Sequence, residues 1–213
     1  MFVGERMSHP VISVSPETPI HDALALLKRE HIRRAPVIKD GKMVGIIAER
    51  DLLNASPSSA TTLSVWEINY LLSKVTVKQV MTQKVKTVTM DTPIEEAARI
   101  MADSKIGGLP VVRDGKVAGI ITETDLFKIF LELMGAREKA LRVSVLVEDK
   151  PGQLAKVTKA IAEAGGNFIS FGMFAGPDTS TRMVTFKVAG MKKADVTKAL
   201  ENVVQKFWDI RQS

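Results

Sequence analysis

The sequence predicts an α+β chain: two copies of a β-α-β-β-α unit packed as a pseudo-twofold α/β sandwich, then a ferredoxin-like βαββαβ unit. Three observations carry that expectation. Residues 7–53 lie on residues 81–127 after a shift of 74 without a gap, and 19 of the 47 positions are identical. Both copies place a Thr-Pro pair, an Asp-Gly pair and a Gly-Ile-Ile turn at the same offsets. From about Leu141 that pattern stops, and strand and helix signals follow in the order βαββαβ. The expected divisions are 1–60, a linker with a helix over 61–77, a second copy over 78–136, and a last domain over 139–213.

Within each copy a short strand, VISV or VKTV, precedes the Thr-Pro pair. Pro19 and Pro93 fit a first helical turn, where a missing N–H costs nothing. Apolar residues follow at helical spacing: Ile20, Ala23, Leu24 and Leu27, then Ile94, Ala97, Ala98 and Met101 in the second copy. Asp40-Gly41 and Asp114-Gly115 each predict a tight hairpin, because the turn needs positive φ. The second hairpin strand runs into GIIAERD at 45–51 or GIITETD at 119–125, and then into a closing helix. One unit of about 50 residues buries too little apolar surface to stand alone, and two packed together solve that. Between them Pro57 and a Ser/Thr cluster mark the linker. Ser64 and Glu67 have capping-box spacing before a helix whose Trp66, Tyr70 and Leu71 read as packing residues.

In the last domain LRVSVLV alternates as a strand. Pro151 opens a helix, Leu154, Val157, Ile161 and Ala164 form its buried face, and Gly165-Gly166 closes it. NFISFGMFAG and TRMVTFKV are strands joined through GPDTS. KKADVTKALENVVQKF is expected to be a helix, and WDIRQS a short final strand.

Composition excludes several classes. There is no cysteine, so disulfides and thiolate chemistry are absent. No apolar run approaches the ~18 residues of a membrane span, and the first ten residues lack a signal-peptide core; a soluble, cytoplasmic protein is expected. The net charge is +6, but the cations are scattered among acids and there are few aromatics, so nucleic acid is not the expected partner. A basic balance also suits small phosphorylated anions. His9, His21 and His31 have no metal-ligand spacing, and no nucleophile elbow, zincin motif or P-loop occurs. Neither a metal, a resident cofactor nor a catalytic residue is expected.

The repeated turn has two readings. As a helix start, Thr122 is the N-cap and Asp125 the N3 partner; Ala48 has no side-chain oxygen, so Asp51 would lack that partner. As a ligand site, a carboxylate can accept hydrogen bonds from the vicinal hydroxyls of a ribose, and a hydroxyl three residues earlier can reach a phosphate or ribose oxygen. Arg33 and Arg34 are either surface charges or phosphate ligands. Gly107 and Gly108, at the same positions of the second copy, leave room for a ring or for close backbone approach.

The strand-TP-helix opening, the [IL]-P-V or A-P-V strand, the DGK hairpin and the closing G-I-I-x-E-x-D-L, twice in register, resemble a tandem pair of CBS domains, a Bateman module. That resemblance implies a regulatory role: binding of AMP, ADP, ATP or S-adenosylmethionine in clefts between the copies. It implies a nucleotide site at Thr122, Asp125, Asp51, Arg33 and Arg34, with Ile32, Pro36, Thr87, Val88, Ile106 and Pro110 lining it. The threonine-aspartate motif is complete only in the second copy, so one pocket is expected, with ribose on Asp125 and phosphates drawn toward Arg33 or Arg34. D-K-P-G-Q-L and G-G-N-F resemble an ACT domain. That implies an amino-acid site at Asp149, Gly152 and Leu154 facing Asn167 of a partner chain, or a domain that only dimerises, where Gly152 makes a turn and Asn167 starts a strand. The combined layout resembles regulatory proteins of the acetoin-utilisation type. The expected function is a non-catalytic sensor, as a homodimer, read by an unknown regulated protein; a scaffold with vestigial pockets is the alternative.

Overall fold

The Asp-Gly turns behave as their chemistry requires. In the computed structural model, which describes residues 1–55 and 74–213, Asp40 and Gly41 take φ of 49° and 75°, and Asp114 and Gly115 take 51° and 74°. Positive φ at both central positions gives the turn whose twist matches a tight hairpin. The first joins β1 (Arg34–Lys39) to β2 (Lys42–Ala48), and the second joins β4 (Gly108–Arg113) to β5 (Lys116–Thr122). Both hairpins bulge at the same place, Val37/Ile38 and Val111/Val112. Helices α1 (Ile20–Arg29) and α4 (Ile94–Ser104) precede them, with Pro19 and Pro93 as N-caps, one residue outside the first turn. Helices α2 (Glu49–Asn54) and α5 (Glu123–Leu133) follow them. The linker expectations, with Pro57, Ser64, Trp66, Glu67, Tyr70 and Leu71, lie outside the described residues.

The opening strands are smaller than VISV and VKTV suggest. Val14 makes only a single bridge to Val37, and β3 is Val88–Thr89, parallel to β4. The preceding residues do something the sequence did not announce. Ser8 pairs with Ile120 of the second copy, and its mate 74 residues on, Thr82, pairs with Ile46 of the first. Phe2 pairs with Pro93, and Thr76 with Pro19. Each copy's leader is thus exchanged onto the other copy. Val3 and Val77 are fully buried there, the latter in the short helix α3 (Val77–Val80). Gly45 and Gly119 are needed at the crossings: a Cβ would meet Met81 Sδ at 2.6 Å and Met7 Sδ at 2.4 Å. The structural repeat therefore begins near residue 2, five residues before the sequence identity.

The chain divides into two compact units, Met1–Leu126 and Phe127–Ser213. The division falls inside α5. In the second unit the strands β6 (Leu141–Glu148), β7 (Asn167–Ala175), β8 (Thr181–Ala189) and β9 (Lys206–Gln212) form one antiparallel sheet in the order β7-β8-β6-β9. This is the ferredoxin-like order. Helices α6 (Gln153–Glu163) and α7 (Lys193–Leu200) supply Val157, Ile161, Val196 and Leu200 to a core with Val143, Val145, Val184, Phe186 and Val188. Helix α7 stops at Leu200 instead of running to Phe207. Residues 206–212 pair with β6, and Arg142 Nη1 donates to Asp209 Oδ2 across that ladder at 2.9 Å. The sheet's other face carries a buried polar row, in which Ser144 and Thr185 hydroxyls meet at 2.8 Å and Lys187 Nζ donates to Glu138 O at 2.9 Å.

Candidate ligand cleft between the two copies

The exchange of leaders creates a cleft of about 640 Å³ in the first unit. Its walls come from both copies. The first copy gives Arg34 of β1, Ile46 and Ala48 of β2, and Arg50 and Asp51 of α2; the second gives Thr82, Lys84, Val85 and Lys86 after α3, and Ser104 to Gly108 between α4 and β4. That volume lies within the range of small-molecule sites. Among the described residues, five lining side chains are cationic (Arg34, Arg50, Lys84, Lys86 and Lys105), against the single carboxylate of Asp51. Lys86 Nζ donates to Ser104 Oγ at 2.7 Å, which fixes one of them. Ile46, Val85 and Ile106 supply apolar surface.

Asp51 lacks the hydroxyl partner, as Ala48 implies, but it keeps a backbone one. Its Oδ2 accepts the Ala48 backbone N–H at 3.0 Å, the half of a capping box that needs no hydroxyl. At the second turn, Asp125 Oδ2 accepts both the Thr122 N–H at 3.0 Å and the Thr122 hydroxyl at 2.7 Å. Asp125 is only 8% exposed. The turn that carries the full motif has satisfied its hydroxyl internally, and the turn without it borders the cleft.

Arg34 occupies the room expected beside the glycines. An ideal Cβ on Gly108 would lie 2.4 Å from Arg34 Nη1, and one on Gly107 2.4 Å from Arg34 Nη2. The pair is glycine because an arginine from the other copy lies on it. Burial pulls the Arg34 guanidinium below its ordinary pKa; Glu123 nearby opposes that and Arg33 adds to it. Arg33 itself is exposed. Ile106 lines the cleft, whereas Ile32 packs against the first copy's core and Pro36 and Pro110 are buried in β1 and β4. Val88 is buried in β3 and Thr87 is exposed; the cleft uses the residues just before them. Sequence reading missed Arg50, Lys84, Lys86 and Lys105. The alternating Lys84-Val85-Lys86 was the available signal.

In the second unit Asp149 is paired within its own chain: Arg182 Nε donates to its Oδ2 at 2.9 Å. Gly152 caps α6 with φ of 80°, a conformation suited to glycine. Leu154 packs on the core. Asn167 is exposed and stands opposite Ala189, at one end of β8, while Asp149 bonds Ser180 beyond the other end. Those ends are about 27 Å apart at strand rise. Asp149 and Asn167 of one chain therefore do not form one site. Gln153, unremarked in the sequence, is buried and donates from Nε2 to Val203 O at 2.7 Å.

The CBS domain family matches residues 3–58 and 77–132, more than half of the chain, and its two starts are 74 residues apart, as in the structural repeat. The chain belongs to the CBS domain family. Residues 141–205 match the ACT domain. The CBS pair is similar to a solved structure from Vibrio cholerae named for acetoin utilisation (AcuB), at 29% identity and a TM-score of 0.54, over 64% of this chain and 95% of that one. It is similar to CBSX2 in complex with AMP, at 33% identity and a TM-score of 0.53, over 62% and 97%. It is also similar to the CBS pair of MJ0100 in complex with 5′-methylthioadenosine and S-adenosyl-L-methionine, at 28% identity and a TM-score of 0.52, over 65% and 98%. Among the described residues, no helix is long and apolar enough to cross a membrane.

Proposed function

We propose that this CBS–ACT protein is a non-catalytic regulatory sensor whose cleft takes an adenosine nucleotide bearing phosphates. The observation that carries this is the charge of the cleft: among the described residues, five cations around one carboxylate, in a space walled by both copies. Asp51 would hold the ribose diol, since Oδ1 has no hydrogen-bond partner among the described residues. Lys84, Lys86, Lys105, Arg50 and Arg34 would neutralise phosphates, and Ile46, Val85 and Ile106 would flank the base. AMP in the CBSX2 complex supports an adenosine ligand for this family. S-adenosylmethionine, bound in the MJ0100 complex, carries a sulfonium that five cations disfavour. A second site at Thr122 and Asp125 belongs to the same reading, but there a ribose must displace the Thr122 hydroxyl. Because the cleft walls come from both copies, occupancy favours one packing of the copies over another, and a partner protein reads the difference. The ACT domain would serve a homodimer, with an amino acid between Asp149 and Gly152 of one chain and Asn167 of the other, or dimerisation alone.

Thermal unfolding against AMP, ADP, ATP, NADH and S-adenosylmethionine tests this. A ligand at 100 times its Kd adds about 2.7 kcal/mol. The expected result is stabilisation by the phosphorylated ligands that is lost in Asp51→Ala. Loss in Asp125→Ala alone moves the site to the second turn. No stabilisation by any of the five favours the scaffold, and steady product formation from ATP makes the protein an enzyme.

A further inference from the structure

Arg34 touches both turns. Its backbone stands opposite Ala48 in the β1–β2 ladder, while Gly108, its mate, stands opposite Thr122 in β4–β5. Its guanidinium reaches across to Gly107 and Gly108, and a Cβ on Gly107 would lie 2.4 Å from Arg34 Nη2 and 2.7 Å from Glu123 Oε2. The two charged tips are thus within about 5 Å of each other, on either side of a glycine, without the ≤ 4 Å contact of an ion pair. Glu123 follows Thr122 directly, and its N–H is tied to Gly107 O at 3.2 Å. Arg34 also lines the cleft, and its Nη1 is buried with no hydrogen-bond partner. A buried donor left unpaired is costly, so this guanidinium is held in place by shape and charge with hydrogen-bonding capacity still unused.

We infer that Glu123 is a positioning residue that competes with the cleft's ligand for Arg34. This rests on the phosphate-bearing ligand proposed above. In the empty cleft the carboxylate of Glu123 attracts the guanidinium over the glycine pair. A phosphate in the cleft offers Nη1 the acceptor it lacks and draws the guanidinium off Glu123. Glu123 sits between Thr122 and Asp125, so filling the first copy's cleft changes the charge balance at the second copy's turn, and the coupling is reciprocal. Glu123 is exposed, so solvent screens the competition, and its effect on affinity is about two- to fivefold.

Titration calorimetry of the full chain with ATP, in wild type, Glu123→Gln, Arg34→Met and the double variant, decides it. The expected result is ATP affinity two- to fivefold tighter in Glu123→Gln, weaker in Arg34→Met, and unaffected by Glu123→Gln once Arg34 is gone. Gly107→Ala, which pushes the two tips apart, should mimic Glu123→Gln. A merely structural Glu123 would shift the midpoint of unliganded unfolding and change affinity alike in both backgrounds; that result, or unchanged affinity in Glu123→Gln, overturns this inference and leaves the ligand reading standing. If ATP, ADP and AMP all fail to bind wild type, both are overturned.

Discussion

GIIAERD and GIITETD hold the same carboxylate in two states. Asp51 lends one oxygen to one backbone N–H and borders a cleft with five cations. Asp125 lends one oxygen to an N–H and a hydroxyl, and it is nearly buried. The difference is Ala48 against Thr122. A threonine at the cap completes the helix start, and it uses acceptor capacity that a sugar diol would need. An alanine leaves the start one bond short and leaves the carboxylate open. The cations follow the open turn: the mates of Arg50, Lys84, Lys86 and Lys105 are Thr124, Pro10, Ile12 and His31. In this pair the more complete motif is the more self-satisfied one.

The strongest way to break that contrast is to reverse the cleft's charge. Lys84→Glu with Lys86→Glu should weaken ATP binding on the order of a hundredfold, because two charge-assisted contacts become repulsions. The wild-type affinity should fall as salt is raised. Calorimetry reads both, and a double variant that binds ATP like wild type would place the phosphates elsewhere. Next in size is the stability cost of each carboxylate. Asp125→Ala removes at least the two hydrogen bonds to Thr122 from a buried position and should cost about 2 kcal/mol in urea unfolding, against about 1 kcal/mol for Asp51→Ala. Equal costs would mean that the Thr122 hydroxyl contributes nothing, and the contrast would fail. Ala48→Thr sharpens it further. The new hydroxyl should stabilise α2 by about 0.5–1 kcal/mol while weakening ATP binding several-fold, since it competes for Asp51. Tighter binding in Ala48→Thr would instead assign the hydroxyl to the ligand.

What the sequence made legible is what local chemistry decides. The hairpins were readable because Asp-Gly tolerates two positive φ values, and the helices because their apolar spacing is helical. The 74-residue shift implied two equivalent copies. The exchange of leaders was not readable: it rests on single bridges such as Ser8 to Ile120, and nothing local to residues 1–10 names its partner. For the same reason the cations of Lys84 and Lys86 fell outside the expected site. They follow α3, in a stretch that reads as an ordinary solvated turn until the other copy's β2 is beside it. Gly107 and Gly108 differ from Arg33 and Arg34 at the matching positions, but a glycine does not say whether its space is for a ligand or for a neighbour's side chain. Here it is for Arg34. In the last domain the helix pattern ran on past Leu200 because the sequence carries no stop there, and pairing with β6 supplied one.

The smallest expected effect compares the two copies at another pair of mates. Glu17 and Asp91 sit at the same place before α1 and α4, and each accepts the hydroxyl of the residue two before it, Ser15 or Thr89. That bond is the largest cause holding each carboxyl below its ordinary pKa, and Glu17 has a further partner in Lys39 Nζ, at 3.2 Å. The mate of Lys39 is Arg113, whose partner is Asp114 instead. A carboxyl with a depressed folded pKa stabilises the fold above its unfolded pKa, about 4, and loses that contribution as pH falls through the folded value. Both contributions are therefore fully present and independent of pH between pH 5 and 8, and both should begin to be lost below about pH 4. Carboxyl-carbon NMR titration should find both groups low in dilute buffer. Raising salt to about 1 M, where the screening length is ~3 Å, should move Glu17 upward and leave Asp91 in place, because a hydroxyl bond carries no net charge to screen. Equal salt responses would mean that Lys39 does not hold Glu17 in solution, and that the two copies are alike at this position.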